Sequence, residues 1–320
     1  MGRFIVTRLA WSAMIIVASS ILVFLVLRVL PSDPVLARLG ASTGVDPEVI
    51  ARLRAEAGLD DPIISQYLSW LGGVLHGDLG SSYASQIPVA QIIAERLPVT
   101  LELTFLAMLT VVLVSIPLAL AAVFRGRSIA DKAIGFLTSL GISVPLFVVS
   151  LILILVFAST LGWLPSRGYV PLTEDPVQNL KLMILPVASL AFAASPLLIR
   201  HMRESMSEAE SEPYVRTAVG KGAVRARVLL QHILRSSLVP TLTMLGLIVG
   251  YTLAGTVVAE YVFGLPGIGS LALEAALKRD YAVLQSVVIL IVFMFVITTL
   301  IVDIVNGLID PRVRVGGQRD

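Results

Sequence analysis

The chain has 320 residues, of which 56% are hydrophobic and only 14% are charged, and its formal net charge is +2 at pH 7. Soluble proteins carry about 25% charged residues, so this chain cannot cover its outer surface against water, which excludes a water-soluble enzyme or binding domain. The lack of cysteine excludes disulfides, thiolate metal sites and cysteine nucleophiles, and the small net charge gives no general attraction to nucleic acid.

Six apolar stretches are long enough to cross a membrane as helices, which takes about 20 residues. The first follows Arg3 and Arg8. It is too long for a signal peptide and has no convincing small-residue cleavage site, so we interpret it as a retained anchor and first span. The pattern predicts an all-α integral membrane protein with six transmembrane helices. The stretches are 9–30, 99–124, 134–161, 182–199, 241–263 and 283–309.

The positions of lysine and arginine predict the orientation of these spans. Fifteen of them lie in residues 1–8, 125–132, 200–235 and 312–319, which all fall on one side of the membrane, whereas the short loops on the other side contain four. Cytoplasmic loops of membrane proteins carry an excess of these residues. Both termini and the loop 200–238 are therefore predicted to be cytoplasmic.

Residues 31–98 form a segment, called the 31–98 segment, that is too long for a simple connection between two spans. In this orientation it lies on the opposite side of the membrane from the termini. Its apolar spacing predicts helices over 47–59 and 63–75, followed by a glycine-rich stretch. We expect a small folded helical segment packed on the outer membrane face; the alternative is an ordered connector that binds no partner. The predicted divisions are 1–30, 31–98, 99–309 with the loop 200–238, and 310–320.

Motifs of catalysis and phosphate binding do not occur in the sequence. The one Gly-Lys pair, Gly220-Lys221, is followed by glycine and has no Walker-type context. The three histidines lie far apart, and no zinc-protease or serine-hydrolase motif is found. No catalytic or metal site is predicted, so a protein that uses energy must obtain it from a partner.

Three acidic residues fall inside the spans: Glu102, Glu260 and Asp303. Acids within a membrane can mark an ion path, but those near span ends are hydrated at low cost, which favours a structural role for Glu102 and Glu260. Asp303 lies deeper, and we expect it to face the interior of the helix bundle. Prolines 117, 145, 186 and 196 lie in or beside spans and are expected to kink helices.

The loop 200–238 contains a basic stretch, residues 214–240, with five lysines and arginines and no acid. Pro213 and Gly222 predict a helix over 213–221, started after Ser211 and ended by a left-handed glycine. A helix this short needs a packing partner. A second, amphipathic helix is expected to lie along the membrane surface and lead into span five. Its predicted apolar face consists of Ala226, Leu229, Leu230, Ile233 and Leu234.

Three interpretations of this loop are open from the residues alone. The arginines can simply fix orientation and contact anionic lipid. Nucleic-acid binding is disfavoured, because aromatic residues other than Tyr214 are missing from the stretch. In the third interpretation the short helix is a rigid lever that docks on a cytoplasmic partner and transmits its movement to span five.

Residues 214–222, YVRTAVGKG, resemble the cytoplasmic EAA-type loop of ABC importer permeases, in the form found in the dipeptide and oligopeptide branch. Arg216, Thr217 and Ala218 take the first three motif positions and Gly222 takes that of the motif glycine. Arg216 replaces the leading glutamate, and the distance from Gly222 to Pro240 exceeds that of sugar importers; both are features of the peptide branch.

Further segments resemble the first permease subunit of peptide systems along nearly the whole chain. They are LPSDP at 30–34, GLDDP at 58–62 with QYL at 66–68, GDLG at 77–80, EYVFGLPGIG at 260–269 and DPRVR at 310–314.

The resemblance implies a type I ABC importer permease fold in the bacterial plasma (inner) membrane and alternating access for di- or oligopeptides. It implies a second homologous permease, two ATPase subunits that use ATP and magnesium, an extracytoplasmic binding protein, and no cofactor in this chain. Relatives of such permeases carry nickel, glutathione, haem or oligosaccharides, so these substrates remain alternatives. An ion-coupled secondary transporter and a membrane-embedded enzyme are the rival classes.

The resemblance also implies roles for individual residues. Contact with the binding protein is expected at Tyr67 and Trp70. A role in the pathway or gate is expected for Glu260, Phe263, Pro266 and Asp303. The residues expected to couple to the ATPases are Tyr214, Arg216, Thr217, Ala218, Lys221 and Gly222.

Overall fold

The computed structural model describes residues 2–29, 46–56, 60–125 and 129–309, and most of these residues form helices, with one isolated β-bridge between Ser81 and Pro88. The predicted all-α architecture is therefore confirmed for the described residues. The motif segments at 30–34 and 310–314, the start of the segment at 58–62, and Arg127 lie outside them. The helices are α1 Gly2–Val29, α2 Pro47–Glu56, α3 Ile63–Leu75, α4 Val89–Arg125, α5 Ile129–Ser143, α6 Leu146–Thr160, α7 Pro176–Glu210, α8 Pro213–Gly220, α9 Arg225–Phe263, α10 Ile268–Leu277 and α11 Tyr281–Ile309.

Five of these helices are long and apolar enough to cross a membrane: α1, α4, α7, α9 and α11. They contain five of the six predicted spans. The predicted span 134–161 is instead a pair of helices, α5 and α6, which are bent by 107° at the break between Ser143 and Leu146. Pro145 lacks an N–H group and restricts the residue before it to extended geometry, which explains the break. If the bent pair is counted as one broken span, the described residues hold six candidate spans, and the expected kink at Pro145 is confirmed.

One compact unit consists of the described residues within Met1–Leu9, Leu101–Leu265 and Ile297–Asp320. Its centre is α7: in the most apolar stretch of this helix 72% of the residues are buried, against 11 to 33% in the other four candidate spans. Small residues let neighbouring helices approach α7 closely. A Cβ atom on Gly141 would lie 2.5 Å from Pro196 Cγ and 2.8 Å from the carbonyl oxygen of Phe192, so α5 can pack at this distance only with glycine.

The other unit consists of the described residues within Ala10–Thr100 and Pro266–Val296. Its apolar core joins the start of α4, α10 and the start of α11 through Val89, Ile93, Ile268, Leu271 and Val287. The predicted helix 63–75 is confirmed as α3, and the predicted helix 47–59 is described up to Glu56. The predicted division of the chain into four parts remains a prediction.

Candidate functional site

The loop 200–238 is built on the end of α7, which extends beyond the predicted fourth span. That span was expected to end at residue 199, but the helix continues to Glu210. Met202, Met206 and Ala209 are buried on this extension. Their spacing of four and three residues places them in one stripe along the helix, which continues the stripe of Leu198. This signal was present in the sequence, and the sequence reading missed it.

The short helix α8 begins at Pro213, as predicted, but its start is not capped as expected. Pro213 suits the first helical position because the N–H group of a residue there would have no hydrogen-bond acceptor within the helix. The residue at the N-cap position is Glu212, whose side chain makes no capping hydrogen bond. Ser211, which we expected to begin this helix, instead ends α7, and its hydroxyl donates to the carbonyl of Ser207 at 3.3 Å.

The predicted left-handed glycine at the end of α8 is confirmed, since Gly222 has φ +81°. The N–H of Ala223 donates to the carbonyl of Ala218 at 3.1 Å, and that of Gly222 to Val219 at 2.9 Å. This pair of bonds is the Schellman motif. Apart from the two adjacent residues, no atom of the described residues lies within 4 Å of the position that a Cβ on Gly222 would take. Among these residues, glycine is therefore required by the backbone angle and not by crowding.

One face of α8 packs on the chain's own scaffold. Val215 is 4% exposed and belongs to the apolar cluster that contains Met206, Ala209, Val228 and Leu229. These contacts supply the packing partner that a helix of this length requires. They also join α8 to both α7 and α9.

The opposite face of α8 is exposed. Of the six residues predicted to couple to an ATPase, Tyr214, Arg216, Thr217, Lys221 and Gly222 are exposed, whereas Ala218 is half-buried and packs on the apolar cluster. Val219, which was not among them, is 58% exposed. The exposed surface is therefore basic and apolar, a composition suited to a partner with acidic and apolar groups.

The helix that follows differs from its predicted form. Arg225–Phe263 is one continuous helical run, so the second helix leads into the fifth span as predicted, whereas its position along the membrane surface remains a prediction. Leu229 and Ile233 are buried as expected, but Ala226 and Leu230 are exposed and Val228 is buried instead. The cause is a π-helical turn over Val228–Ile233, which adds a residue to the turn and shifts the buried stripe.

A groove of about 440 Å³ lies beside α8, between this helix, the start of α9 and the end of α4. Arg225 connects the start of α9 to the end of α4 on one side of this groove. Its guanidinium donates to the carbonyl of Val123 at 3.3 Å and lies 6.0 Å from the ring centroid of Phe124. Arg216 and Val219 line the same groove. Sequence reasoning missed Phe124 and Arg225, since no local pattern places them beside α8.

Two of the predicted gate residues, Glu260 and Phe263, lie at the buried end of α9, which stops at Gly264 with φ +65°. The carbonyl of Phe263 accepts from Gly168 at 3.1 Å, and the Arg167 side chain donates to the carbonyl of Val262 at 3.0 Å. The loop after α6 is thus fastened to this helix end. Pro266 follows and is half-buried. Their role in a gate remains a prediction.

The loop after α6 also contacts Glu102, which lies on α4. The phenol of Tyr169 donates to Glu102 Oε2 at 3.0 Å, while Oε1 is buried and has no hydrogen-bond partner among the described residues. Burial, together with the hydrogen bond to Glu102 and its charge, raises the pKa of Tyr169 to about 12. The phenol therefore keeps its proton and remains a donor at neutral pH.

Replacing Tyr169 with phenylalanine is expected to lower the free energy of unfolding by about 1–3 kcal/mol, because Glu102 then loses this donor in a partly buried site. The thermal midpoint of the detergent-solubilised protein measures the loss. Adding Glu102→Gln to the same variant should recover part of it, since a neutral amide is less costly to bury than a charge. Equal midpoints for wild type and Tyr169→Phe would contradict this account.

Asp303 has a partner that gives it a structural role. Its carboxylate lies 3.0 Å from a guanidinium nitrogen of Arg8, so the ion pair connects the N-terminal end of α1 to the C-terminal part of α11. An acid buried in a span is stabilised when it is paired in this way. Its role in a pathway remains a prediction.

Tyr67 and Trp70 lie half-buried against α1. The Tyr67 hydroxyl is 2.8 Å from Ser20 Oγ, and the rings of Tyr67 and Trp70 lie 5.4 Å and 6.1 Å from that of Phe24. The exposed large apolar side chains of the same helix are Ile63, Ile64, Leu68 and Leu75. Within the described residues no group of three or more His, Asp or Glu side chains could hold a metal ion.

The chain matches two family models. Residues 1–104 match the N-terminal part of binding-protein-dependent transport system membrane components, and residues 112–315 match the model for the inner membrane component itself.

Proteins of three bacteria show the same relationship over almost their whole length, each aligned with 98% of this chain and 99% of the relative. A protein of Brucella abortus named as a peptide transport system permease protein is 40% identical. The dipeptide transport system permease protein DppB of Escherichia coli is 37% identical, and the oligopeptide transport system permease protein AppB of Bacillus subtilis is 34% identical.

A solved structure shares the fold. A chain of the MetNI methionine ABC transporter in an inward-facing conformation superposes with a TM-score of 0.56 at 13% identity, which covers 69% of this chain and 97% of that one. The predicted type I importer permease fold is thereby confirmed. Together with the two family matches and the full-length relatives, this shows that the chain belongs to the family of binding-protein-dependent transport system inner membrane components.

Proposed function

We propose that this chain is a permease subunit of an ATP-driven importer and forms half of a pathway for di- or oligopeptides by alternating access. The observation that carries the proposal is the short helix α8, which is fixed to two candidate spans on one face and exposed on the other. The names of the full-length relatives support peptides as the substrate class.

In this proposal the energy comes from outside the chain. Two ATPase subunits bind ATP and magnesium, and one of them holds α8 in a groove of its own. When the ATPases close, α8 moves as a rigid body with the ends of α7 and α9, which shifts the spans toward an outward-open state. A second homologous permease completes the pathway. The loop 200–238 and both termini face the cytoplasm of a bacterial cell, and the 31–98 segment faces a binding protein.

The test is uptake by the complete complex in liposomes. With the second permease, the ATPases and the binding protein present, uptake of a labelled dipeptide should require ATP hydrolysis and should persist when ion gradients are removed by ionophores. Uptake that follows the ion gradient and ignores ATP would contradict the proposal and favour a secondary transporter. Transport of nickel, glutathione, haem or an oligosaccharide in place of peptides would change the proposed substrate class but not the proposed ATP-driven mechanism.

Contact between the 31–98 segment and the binding protein is a separate prediction. A photoreactive residue at Leu68, on the exposed side of α3, should cross-link to a co-expressed binding protein during turnover. Tyr67 and Trp70 should cross-link more weakly than Leu68, because both are half-buried against α1. Leu247 in the middle of α9 is an equally exposed control and should not cross-link. Absence of cross-links from all three α3 positions would count against the contact.

A further inference from the structure

A pocket of about 300 Å³, lined by both polar and apolar residues, lies within the second unit, outside the loop 200–238 and the predicted gate. It is lined by the end of α1, by α3 with the turn after it, and by the start of α11. Its volume is at the lower end of the range for small-molecule sites.

The pocket combines opposite charges with aromatic walls. Arg28 contributes a guanidinium whose central carbon lies 5.2 Å from the ring centroid of Phe24, and Trp70 also lines the pocket. Asp78 contributes a carboxylate, one oxygen of which accepts from the N–H of Gly80 at 2.8 Å. A site with one fixed cation and one fixed anion suits a ligand that carries both charges.

Gln285 gives an independent indication that a ligand binds here. This residue lines the pocket and is 9% exposed, and its Nε2 atom is buried without a hydrogen-bond partner among the described residues. A buried donor that lacks an acceptor is costly, so a native protein normally satisfies it with water or with a ligand. An amide N–H₂ group needs an acceptor oxygen.

Tyr83 adds a second neutral donor. Burial raises the pKa of its phenol, the charge of Arg28 opposes this shift, and the charge of Asp280 adds to it. The phenol therefore stays protonated at neutral pH. The donors of Arg28, Gln285 and Tyr83 together match the oxygens of a phosphate diester.

The pocket lies where two candidate spans end. Arg28 is the last residue of the span Phe4–Arg28, and Tyr281, which also lines the pocket, is the first residue of the span Tyr281–Ile309. Tryptophan and tyrosine concentrate at the boundary between hydrocarbon and water, and an arginine near a helix end can extend its charged group to this boundary. The turns of α1 that precede Arg28 expose Leu22, Leu25 and Val26. This surface suits acyl chains, so a ligand in the pocket can remain anchored in the bilayer.

We propose that the pocket binds the headgroup of phosphatidylethanolamine, with its phosphate held by Arg28, Tyr83 and Gln285 and its primary amine by Asp78. The continuous apolar surface of α1 favours a lipid over a free zwitterionic peptide. The amine favours ethanolamine over choline, because a quaternary ammonium has no proton to donate to the carboxylate.

Native mass spectrometry of the detergent-solubilised full chain, titrated with phosphatidylethanolamine, phosphatidylcholine or phosphatidylglycerol, tests this assignment. Phosphatidylethanolamine should bind most tightly. Arg28→Gln and Gln285→Glu should each weaken its binding about tenfold or more, since one removes a charged donor and the other repels phosphate. Arg28→Lys should retain most of the binding and so separates loss of charge from misfolding. Asp78→Asn should reduce the preference over phosphatidylcholine.

Arg200→Gln is the matched control, because it removes an exposed arginine of α7 that pairs with Glu204. It should leave lipid binding unchanged. The assignment would be overturned if Arg28→Gln and Gln285→Glu bound phosphatidylethanolamine as tightly as Arg200→Gln, or if the three lipids bound equally. Displacement of bound lipid by dialanine at equal concentration would show that the pocket holds peptide instead.

Discussion

Replacing Gly222 with aspartate is expected to lower ATP-dependent uptake by about tenfold or more while the chain still inserts into the membrane. Gly222 has φ +81°, and a side chain in this left-handed geometry costs roughly 1–2 kcal/mol, which corresponds to about tenfold in an equilibrium. The aspartate also brings a negative charge next to the exposed Lys221. Since the described residues leave open space around a Cβ on Gly222, we attribute a larger loss to contact with a partner.

Two variants separate partner contact from backbone strain. Gly162 also has a left-handed φ of +64° and open space around it, so Gly162→Asp imposes similar strain far from α8 in sequence and should keep near-normal uptake. Gly222→Asn should retain more activity than Gly222→Asp, because asparagine tolerates this geometry better and carries no charge. Copurification of the ATPase subunits reports assembly. Normal uptake by Gly222→Asp, with as much ATPase copurified as for the wild type, would refute the proposal that α8 transmits movement from the ATPases.

Replacing Asp280 with alanine is expected to lower the free energy of unfolding by about 3–5 kcal/mol, the largest effect on stability that we predict. Asp280 is 4% exposed and lies directly before α11. Its carboxylate accepts from the hydroxyl of Ser82 at 2.5 Å and from the N–H groups of Tyr83 at 3.2 Å and Ala84 at 3.3 Å. Alanine would leave these donors without their acceptor, and each buried donor left unpaired costs about 1–3 kcal/mol.

Asp175 serves as a solvent-exposed control for the loss of stability expected on replacing Asp280. Asp175 also caps a helix, since its side chain accepts from the N–H groups of Val177 and Gln178, but these bonds are exposed to solvent. Asp175→Ala should therefore cost only about 1 kcal/mol. Asp280→Asn should fall between the two, because it keeps one acceptor oxygen. The thermal midpoint of the solubilised chain measures all three, and equal midpoints for Asp280→Ala and Asp175→Ala would contradict the prediction.

The elements that the sequence predicted well depend on local signals. The helix α3 was predicted with both of its ends, and α8 within one residue, because apolar spacing, Pro213 and Gly222 act within a few residues of the chain. The left-handed angle at Gly222 followed from the same signals. The five candidate spans were found for a similar reason, since hydrophobic length is a property of a single segment.

The features that the sequence did not predict depend on distant contacts or on departures from regular helix geometry. The bond between Ser82 and Asp280 joins residues nearly 200 positions apart, and the pair of Arg8 and Asp303 is more distant still, so no local pattern could show them. The 107° bend at Pro145 was foreseen as a kink but not in its size. The π-helical turn over Val228–Ile233 shifted a face that had been assigned with a regular helical period.

The central claim is that α8 docks on an ATPase, and site-specific cross-linking during transport tests it most directly. A photoreactive residue at Val219 lies on the exposed face of α8, and the same residue at Leu247, which is 55% exposed in α9, is the control. The assembled complex should give a cross-link from Val219 to an ATPase subunit, with a yield that changes between ATP-bound and nucleotide-free states, and none from Leu247. Cross-links from Val219 to lipid alone, in a complex that still binds the ATPase elsewhere, would contradict the account.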